Sequence, residues 1–414
     1  MSARTISDWI DGERLWSRHM ELARFGALAN GGVNRQALSQ EEIAARAELV
    51  RWGRRIGLAP FTDAAGNLFL RLEGDDPALP PVLVGSHIDS QPSGGKFDGV
   101  FGVLAALEVQ EAFVASGTRP RRAIESVAWM NEEGSRFAPG MMGSSIYVGA
   151  RSLPEMLAVT DQAGISVATA LEAMLARDEG IPQRPLGREA ACYLEAHIEQ
   201  GPVLEIEGKT IGIVTGIQGK RTFRVTVEGE ENHAGTAPRS VRRDALASTV
   251  SIINALQAAM WDDDDITRFT IGWLKVAPNA PSVVPAKVVF SIDLRHPDAA
   301  TLQELGDRIP EICVRHSGRC KASVSQLLHD PPITFPAEVR TLLGEAATAV
   351  GVPWMDMPSG AGHDARHLSL VCPTGMIFVP CRAGISHNEA EWAEKEHLTA
   401  GARVLATAVS LLAA

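Results

Sequence analysis

The sequence predicts an α/β protein: a domain built on a mostly parallel sheet, with a smaller ferredoxin-like α+β domain inserted in it. Three observations carry this reading. Short β-branched runs alternate with apolar helical stretches over the first third of the chain. Near residue 216 the pattern switches to strictly alternating strands. After about residue 330 it returns to the α/β type.

The elements follow in order. "ALSQEEIAARAELVRWGRRIG" opens with Ser39 and Glu42 at capping-box spacing and sets Ile43, Ala47 and Val50 on one helical face. "PPVLVGSH" and "AIESVAWM" are of strand length. Between them "DGVFGVLAALEVQEAFVASG" reads as a buried helix ending at Gly117. Strand, helix, strand implies a parallel sheet covered on both faces, where ligands bind at the carboxyl ends of the strands. His87 lies just past one such end, and Asn131, Glu132 and Glu133 just past another.

In the middle region "RTFRVTVEG" places Phe223, Val225 and Val227 on one face and Thr222, Arg224 and Thr226 on the other. A helix follows with Leu246, Val250, Ile253 and Leu256 at helical spacing. "TRFTIGWLKV" reads as a strand, as does "AKVVFSIDLRH", with Val288, Phe290, Ile292 and Leu294 alternating. A helix over about 299–316 and the strand "KASVSQLL" complete a strand–helix–strand–strand–helix–strand series. Residues 216–330 are therefore expected to form a second domain, leaving 1–215 and 331–414 as one discontinuous domain. The last part holds the strand "TGMIFVP" and a closing helix.

Bulk properties exclude several function classes. The 414 residues are 45% hydrophobic and 21% charged, with a net charge of −11. That charge disfavours nucleic acid as a partner. No apolar run approaches the roughly 20 residues of a membrane span. The start of the chain lacks the apolar core of a secretory signal, so a cytoplasmic location is expected. The five cysteines (Cys192, Cys313, Cys320, Cys372, Cys381) form no CxxC pair, so any metal is expected on imidazole and carboxylate.

Candidate donors then stand out, each with a plainer reading. His87 and Asp89 are two apart, so Asp89 can accept the second imidazole N–H and orient a ligand; the pair is also a polar strand end. Asp98 in "GGKFDG" reads as a helix cap or as a carboxylate bridging two metals, and taken alone the cap is the better reading. "WMNEEGSRF" offers Glu132 and Glu133, an acidic turn or a ligand beside a general base. "EAHIEQGPVLE" supplies His197, Glu199 and Gln200, and "GISHNEAEW" supplies His387. Together His87, His197, His387, Asp98 and Glu133 make a ligand set for two divalent ions, with Glu132 as base. Zn, Mn, Co and Ni all suit it.

With those residues in view the chain resembles the dinuclear-metal amidohydrolases of the M20 peptidase superfamily, in particular the hydantoinase/carbamoylase branch. The motifs are "GSHIDSQPSGGKFDGVFGVLAALEV", "NEEGSRFAPGMMGS", "HIEQGPVLE", "ENHAGTAP", "IDLRH", "SGAGHDA" and "GISHNEAEW". The resemblance implies that His87 and His197 bind one metal, Glu133 and His387 the other, and that Asp98 bridges. It makes Glu132 the general base, places Asp89 behind His87, and gives the inserted domain the roles of lid and dimer interface. His233 would polarise the scissile carbonyl in the partner subunit's site, and Arg295 would grip a substrate carboxylate. Gln200, Asn279, Ser282, Gly360, Gly362 and His363 would line the pocket. The implied reaction is hydrolysis of an N-carbamoyl-L-amino acid to amino acid, CO2 and ammonia. Allantoate, an N-acyl amino acid or a dipeptide is the alternative substrate, and a non-catalytic binding protein the rival of another class.

Two departures concern the pocket. "PNAPSVVP" keeps Asn279 but has Ser282 where the branch usually has a second Asn, and a serine lacks the amide's paired donors. "HAGTAPR" has Arg239 where a Met is usual. Both bear on which substrate is held and leave the expected metal donors intact.

Overall fold

The computed structural model describes residues 4–178 and 180–414. The chain divides into two compact units. One runs up to Thr215 and resumes with Phe335–Ala414; the other is Gly216–Thr334. The first unit resumes at Phe335 rather than 331, because Ile333 and Thr334 pair with Ile217 and Gly216 of the second.

The sheet of the first unit runs Ala59–Thr62, Leu68–Leu72, Ile124–Trp129, Val82–His87, Cys192–Ile198, Thr374–Val379 and Ile211–Ile217, with Trp354–Ser359 also paired to the last. Its four middle strands, from Ile124–Trp129 to Thr374–Val379, are mutually parallel as expected. Its flanks are antiparallel: Leu68–Leu72 pairs that way with both its neighbours, and Thr374–Val379 with Ile211–Ile217. The middle strands are buried along their whole length, which explains their continuous apolar character. The helix Val100–Ser116 is buried nearly all round, between the sheet and the closing helix Lys395–Leu412. It ends at Gly117, whose φ of +70° a glycine adopts without strain. Ser39 caps the helix Gln40–Arg55 by accepting the Glu42 N–H, but Glu42 reaches back to the Leu38 N–H, one residue earlier than a capping box requires.

Because the middle strands are parallel, their carboxyl ends lie along one edge. His87 is the last residue of its strand, His197 is next to last in Cys192–Ile198, and Glu132 and Glu133 follow Ile124–Trp129 closely. The topology thus gathers residues far apart in sequence.

In the second unit the spatial order is Leu274–Ala277, Lys287–His296, Gly219–Glu228 and Lys321–Asp330, all antiparallel, with Arg268–Thr270 also against Lys287–His296. With the helices Ala245–Ala259 and Ala299–Arg315 this is the ferredoxin-like arrangement. Phe223, Val225, Val227, Val288, Phe290, Ile292 and Leu294 form its core with Ile252, Leu256, Leu302 and Ile309. Two details differ from expectation. "TRFTIGWLKV" is two short strands rather than one. Val250 is 51% exposed, since the buried face of its helix runs through Ala245, Thr249, Ile252 and Leu256. Val250 sits one residue past Thr249, and one residue is about 100° of helical rotation. Among the described residues no helix is long and apolar enough to cross a membrane.

Candidate active site

Two groups of potential ligands meet at Asp98: His87, Asp98 and His197, and Asp98, Glu133 and His387. Within each group the donor atoms lie within 4.8 Å of one another. The two oxygens of Asp98 divide between them. Oδ1 is 3.1 Å from His197 Nε2 and 3.7 Å from His87 Nε2. Oδ2 is 3.2 Å from His387 Nε2, which is 3.4 Å from Glu133 Oε2. Glu132 Oε2 lies 3.5 Å from His87 Nε2.

Local contacts fix the lone pairs. His87 Nδ1 donates to the Asp89 carbonyl at 3.0 Å and His197 Nδ1 to the Ile198 carbonyl at 2.9 Å, so in both rings Nε2 is the electron-pair donor. His197 Nε2 accepts the Gly99 N–H at 3.1 Å, which agrees with that tautomer. The Asp89 carboxylate is farther from His87 Nδ1, at 3.4 Å. It accepts instead the backbone N–H groups of Glu132 and Glu133, both at 3.1 Å. Asp89 therefore orients His87 through its carbonyl and clamps the two-glutamate turn through its side chain.

Electrostatics follow from packing acids and imidazoles where water is scarce. Burial pushes Glu132 well above the usual carboxylate range, with the Asp364 and Glu133 charges adding to it. Burial and the neighbouring Asp98 push Glu133 up to about 7. Such a cluster of acceptors and lone pairs is costly without positive charge at its centre. The donor set, and the two-way split of Asp98, fit divalent cations.

The remaining residues expected in the first unit fall around this cluster. His363 is buried, packs edge-on to His197 with ring centroids 4.5 Å apart, and bonds Ser359 Oγ through Nε2 at 3.0 Å. Burial drives its pKa far down, so it is neutral. Gly362 lies against Met141, and Gly360 is in the same turn. Gln200 donates to Asp98 Oδ2 at 2.9 Å and to Ser386 Oγ at 3.3 Å, so here it serves the central carboxylate rather than an open pocket.

His233, Asn279, Ser282 and Arg295 belong to the second unit. His233 pairs with Val283, and the Ser282 carbonyl accepts the Ala234 N–H, so Ser282 borders the His233 turn. His233 Nδ1 accepts two backbone N–H groups, from Gly235 at 3.0 Å and Thr236 at 3.1 Å. Its proton is therefore on Nε2, which makes the exposed ring a hydrogen-bond donor. Arg295 grips Asp293 with two bonds, Nε to Oδ1 at 2.8 Å and Nη2 to Oδ2 at 3.2 Å. Asn279 has a φ of +59°, and Arg239 is exposed.

Comparison with known proteins decides the family. The profile of Peptidase family M20/M25/M40 matches residues 83–411. The chain belongs to this family. It is 39% identical to the N-carbamoyl-L-amino-acid amidohydrolase of Rhizobium meliloti, covering 97% of this chain and 96% of that protein. It is 35% identical to the allantoate amidohydrolase of Bacillus subtilis, covering 97% and 95%. A hydantoinase/carbamoylase family amidase from Burkholderia multivorans superposes with a TM-score of 0.92 at 40% identity, covering 98% of both chains.

Around the cluster of this M20 member stand residues that sequence reasoning missed. Glu391 is 2% exposed, and its Oε1 accepts the N–H groups of Phe97 and Asp98 while Oε2 accepts Ser386 Oγ. Ser386 is also 3.1 Å from Asp98 Oδ2. Gln91 donates to Glu133 Oε2 at 2.7 Å. Arg35, 1% exposed, donates to the Ile88 carbonyl between His87 and Asp89. Glu391 sits four residues after His387 in a quoted motif, yet nothing in "SHNEAE" distinguishes it from Glu389. Positive φ at Asn131, Met141, Gln200 and His387 marks the same neighbourhood, as held strain often does at working sites.

Proposed function

We propose that the protein is a metal-dependent hydrolase of a linear ureido C–N bond, with an N-carbamoyl-L-amino acid as substrate. The observation that carries this is the division of Asp98, one oxygen toward His87 and His197, the other toward His387 beside Glu133. The full-length likeness to N-carbamoyl-L-amino-acid amidohydrolases supports the choice of substrate. His87, His197, Glu133 and His387 would hold two divalent ions, Zn, Mn, Co or Ni, bridged by Asp98. When bound, the ions supply Lewis acidity at the carbamoyl group and lower the pKa of water.

The chain's own residues do the rest. Glu132 takes the proton of the attacking water and delivers it to the departing nitrogen. Its buried setting raises its proton affinity, which suits a group that must accept and then return a proton. His233 offers Nε2–H to the carbonyl oxygen as charge builds there. Arg295 binds the substrate carboxylate, Asn279, Ser282, Gly360, Gly362 and His363 shape the pocket, and Gln200 holds Asp98 Oδ2. A homodimer in the cytoplasm, with His233 serving the partner's site and residues 216–330 as lid, belongs to the same reading. Allantoate is the second substrate, favoured by the Bacillus subtilis relative.

The test is ammonia release by enzyme loaded with Mn, Co or Zn. N-carbamoyl-L-amino acids, N-carbamoyl-β-alanine and allantoate form one panel; N-acyl amino acids and dipeptides, followed by free amine, form the other. Turnover confined to the first panel is expected. Turnover confined to the second would refute the ureido assignment.

A further inference from the structure

The open face of the second unit's sheet poses a question of charge. Lys220 and Arg295 stand directly opposite each other on neighbouring strands, a placement that is repulsive when unrelieved. Asp293, two residues from Arg295 on the same face, relieves it. Its Oδ1 accepts Arg295 Nε, and its Oδ2 is shared between Arg295 Nη2 at 3.2 Å and Lys220 Nζ at 3.0 Å. The three side chains are each about a third exposed, at 33%, 30% and 30% for Lys220, Arg295 and Asp293. Burial would raise the Asp293 carboxyl, but Arg295 and Lys220 hold it below its ordinary range, so it is an anion at neutral pH.

An Arg295–Asp293 pair alone would be neutral. A neutral pair has little long-range pull on a carboxylate, and Asp293 would compete with the substrate for the same fork. With Lys220 the triad carries one net positive charge. Of the neighbouring charges, Arg268, opposite Arg295 on the other side, pairs with Asp265, while Arg224, on the same face, keeps its charge and stacks on Trp273 two pairs along the strand. Asp330 stands across from Lys220 on the next strand, but the ammonium's ion pair is with Asp293.

We propose that Lys220 is a specificity-determining residue: by sharing Asp293 it leaves the Arg295 guanidinium with one unit of positive charge, matched to a substrate bearing one carboxylate. This rests on the reading that Arg295 binds that carboxylate. It narrows that reading to recognition of the carboxylate by net charge, so that an N-carbamoyl amino acid is preferred over its uncharged carboxamide.

Charge counting separates this from a pair that only supports the sheet. The triad is +1 in the wild type, 0 in K220M, +2 in D293N and +1 again in K220M/D293N. Metal-loaded enzyme is assayed on an N-carbamoyl-L-amino acid and on its C-terminal carboxamide, and the ratio of kcat/KM values is compared. K220M is expected to lower the carboxylate-to-carboxamide ratio about tenfold, through KM with kcat held within about twofold. K220R keeps the charge and the ratio. D293N has a carboxylate KM at or below that of the wild type. The double variant recovers to within about threefold of the wild-type ratio, although it lacks both pairing partners. An unchanged ratio in K220M, or a double variant no better than K220M, overturns the inference. A wild type that does not prefer the carboxylate overturns the Arg295 reading and this inference with it; a preserved preference with K220M inert overturns this inference alone.

Discussion

Gly99 is where one methyl group should cost a metal site. It precedes the helix Val100–Ser116 with φ +67° and ψ −46°, and a Cβ placed on it falls 2.3 Å from His87 Nε2 and 2.4 Å from the two ring carbons beside it. Ordinary carbon contacts lie near 3.5 Å, so Gly99→Ala must drive the imidazole or the turn apart by about 1 Å. Ligand constellations tolerate only about 0.5 Å of misplacement. The atom displaced is the lone-pair nitrogen assigned to the His87–Asp98–His197 group. Removing a residue that merely supports a ligand costs roughly 10–100-fold in metal affinity, so at least about 100-fold is expected when the ligand itself is pushed away. The stability cost is about 1–3 kcal/mol for a side chain at this sparsely populated positive-φ conformation, plus the clash. Gly117, at the other end of the same helix, is the control: its φ is +70° and nothing lies within 4 Å of its Cβ. Gly117→Ala should cost about 1 kcal/mol and leave the metal untouched. Titration calorimetry with Zn or Mn, and the absorption of the Co-loaded protein, report binding independently of turnover; thermal melting reports stability. Gly99→Ala binding metal within threefold of the wild type would refute the assignment of His87 Nε2 as a ligand.

Three further outcomes are expected. Glu132→Gln should keep bound metal, by elemental analysis, while kcat falls by about 10³-fold, within the span usual for loss of a general base. Glu391→Ala should strip the Phe97 and Asp98 N–H groups of their acceptor and weaken metal binding by roughly 10–100-fold, with Glu391→Gln intermediate by calorimetry. His19 tests pH dependence away from the metal donors. It is fully buried, neither ring nitrogen makes a bond of normal geometry, and burial, eased slightly by the Lys96 backbone, lowers its pKa to about 3. The unfolded chain binds a proton near pH 6.5 that the folded protein refuses until about pH 3. Stability therefore falls as pH drops through that window, by about 1.4 kcal/mol per unit from this residue. His19→Phe, packed on Phe97 and Phe101, should flatten the acid limb of a Tm-against-pH curve, and an unchanged limb would contradict it.

His87, His197 and the Glu132–Glu133 pair stood out as candidates because they sit at or just past strand ends, whereas Asp98 and His387 took their roles from the resemblance. Their convergence was a topological inference, since parallel strands send their carboxyl ends to one edge. What could not be read were partners defined only in three dimensions. Glu391 meets the Phe97–Asp98 backbone across most of the chain, and no local pattern announces a carboxylate that will accept two distant N–H groups. Asp89 was seen as a partner of His87, but not that its carbonyl takes the ring while its carboxylate takes the glutamate turn. In the second unit the alternation of Gly219–Glu228 and Lys287–His296 was plain. The exposure of Val250 was not, because both faces of its helix offer apolar residues at helical spacing.

The interruption of the first unit sets an order of events during synthesis. Ile217 and Ile333 are register partners, so the inserted segment leaves and returns at one place and its long excursion adds little closure entropy. A growing chain has made His87, Asp98, Glu133 and His197 before the insertion begins, but His387 only near its end, after almost half the chain. The strand Thr374–Val379, which lies between Cys192–Ile198 and Ile211–Ile217, is equally late. One group of donors is thus complete while the ribosome is still working, and the other waits for the last segment to slot into the sheet. The route of the chain orders in time the completion of the two groups of side chains.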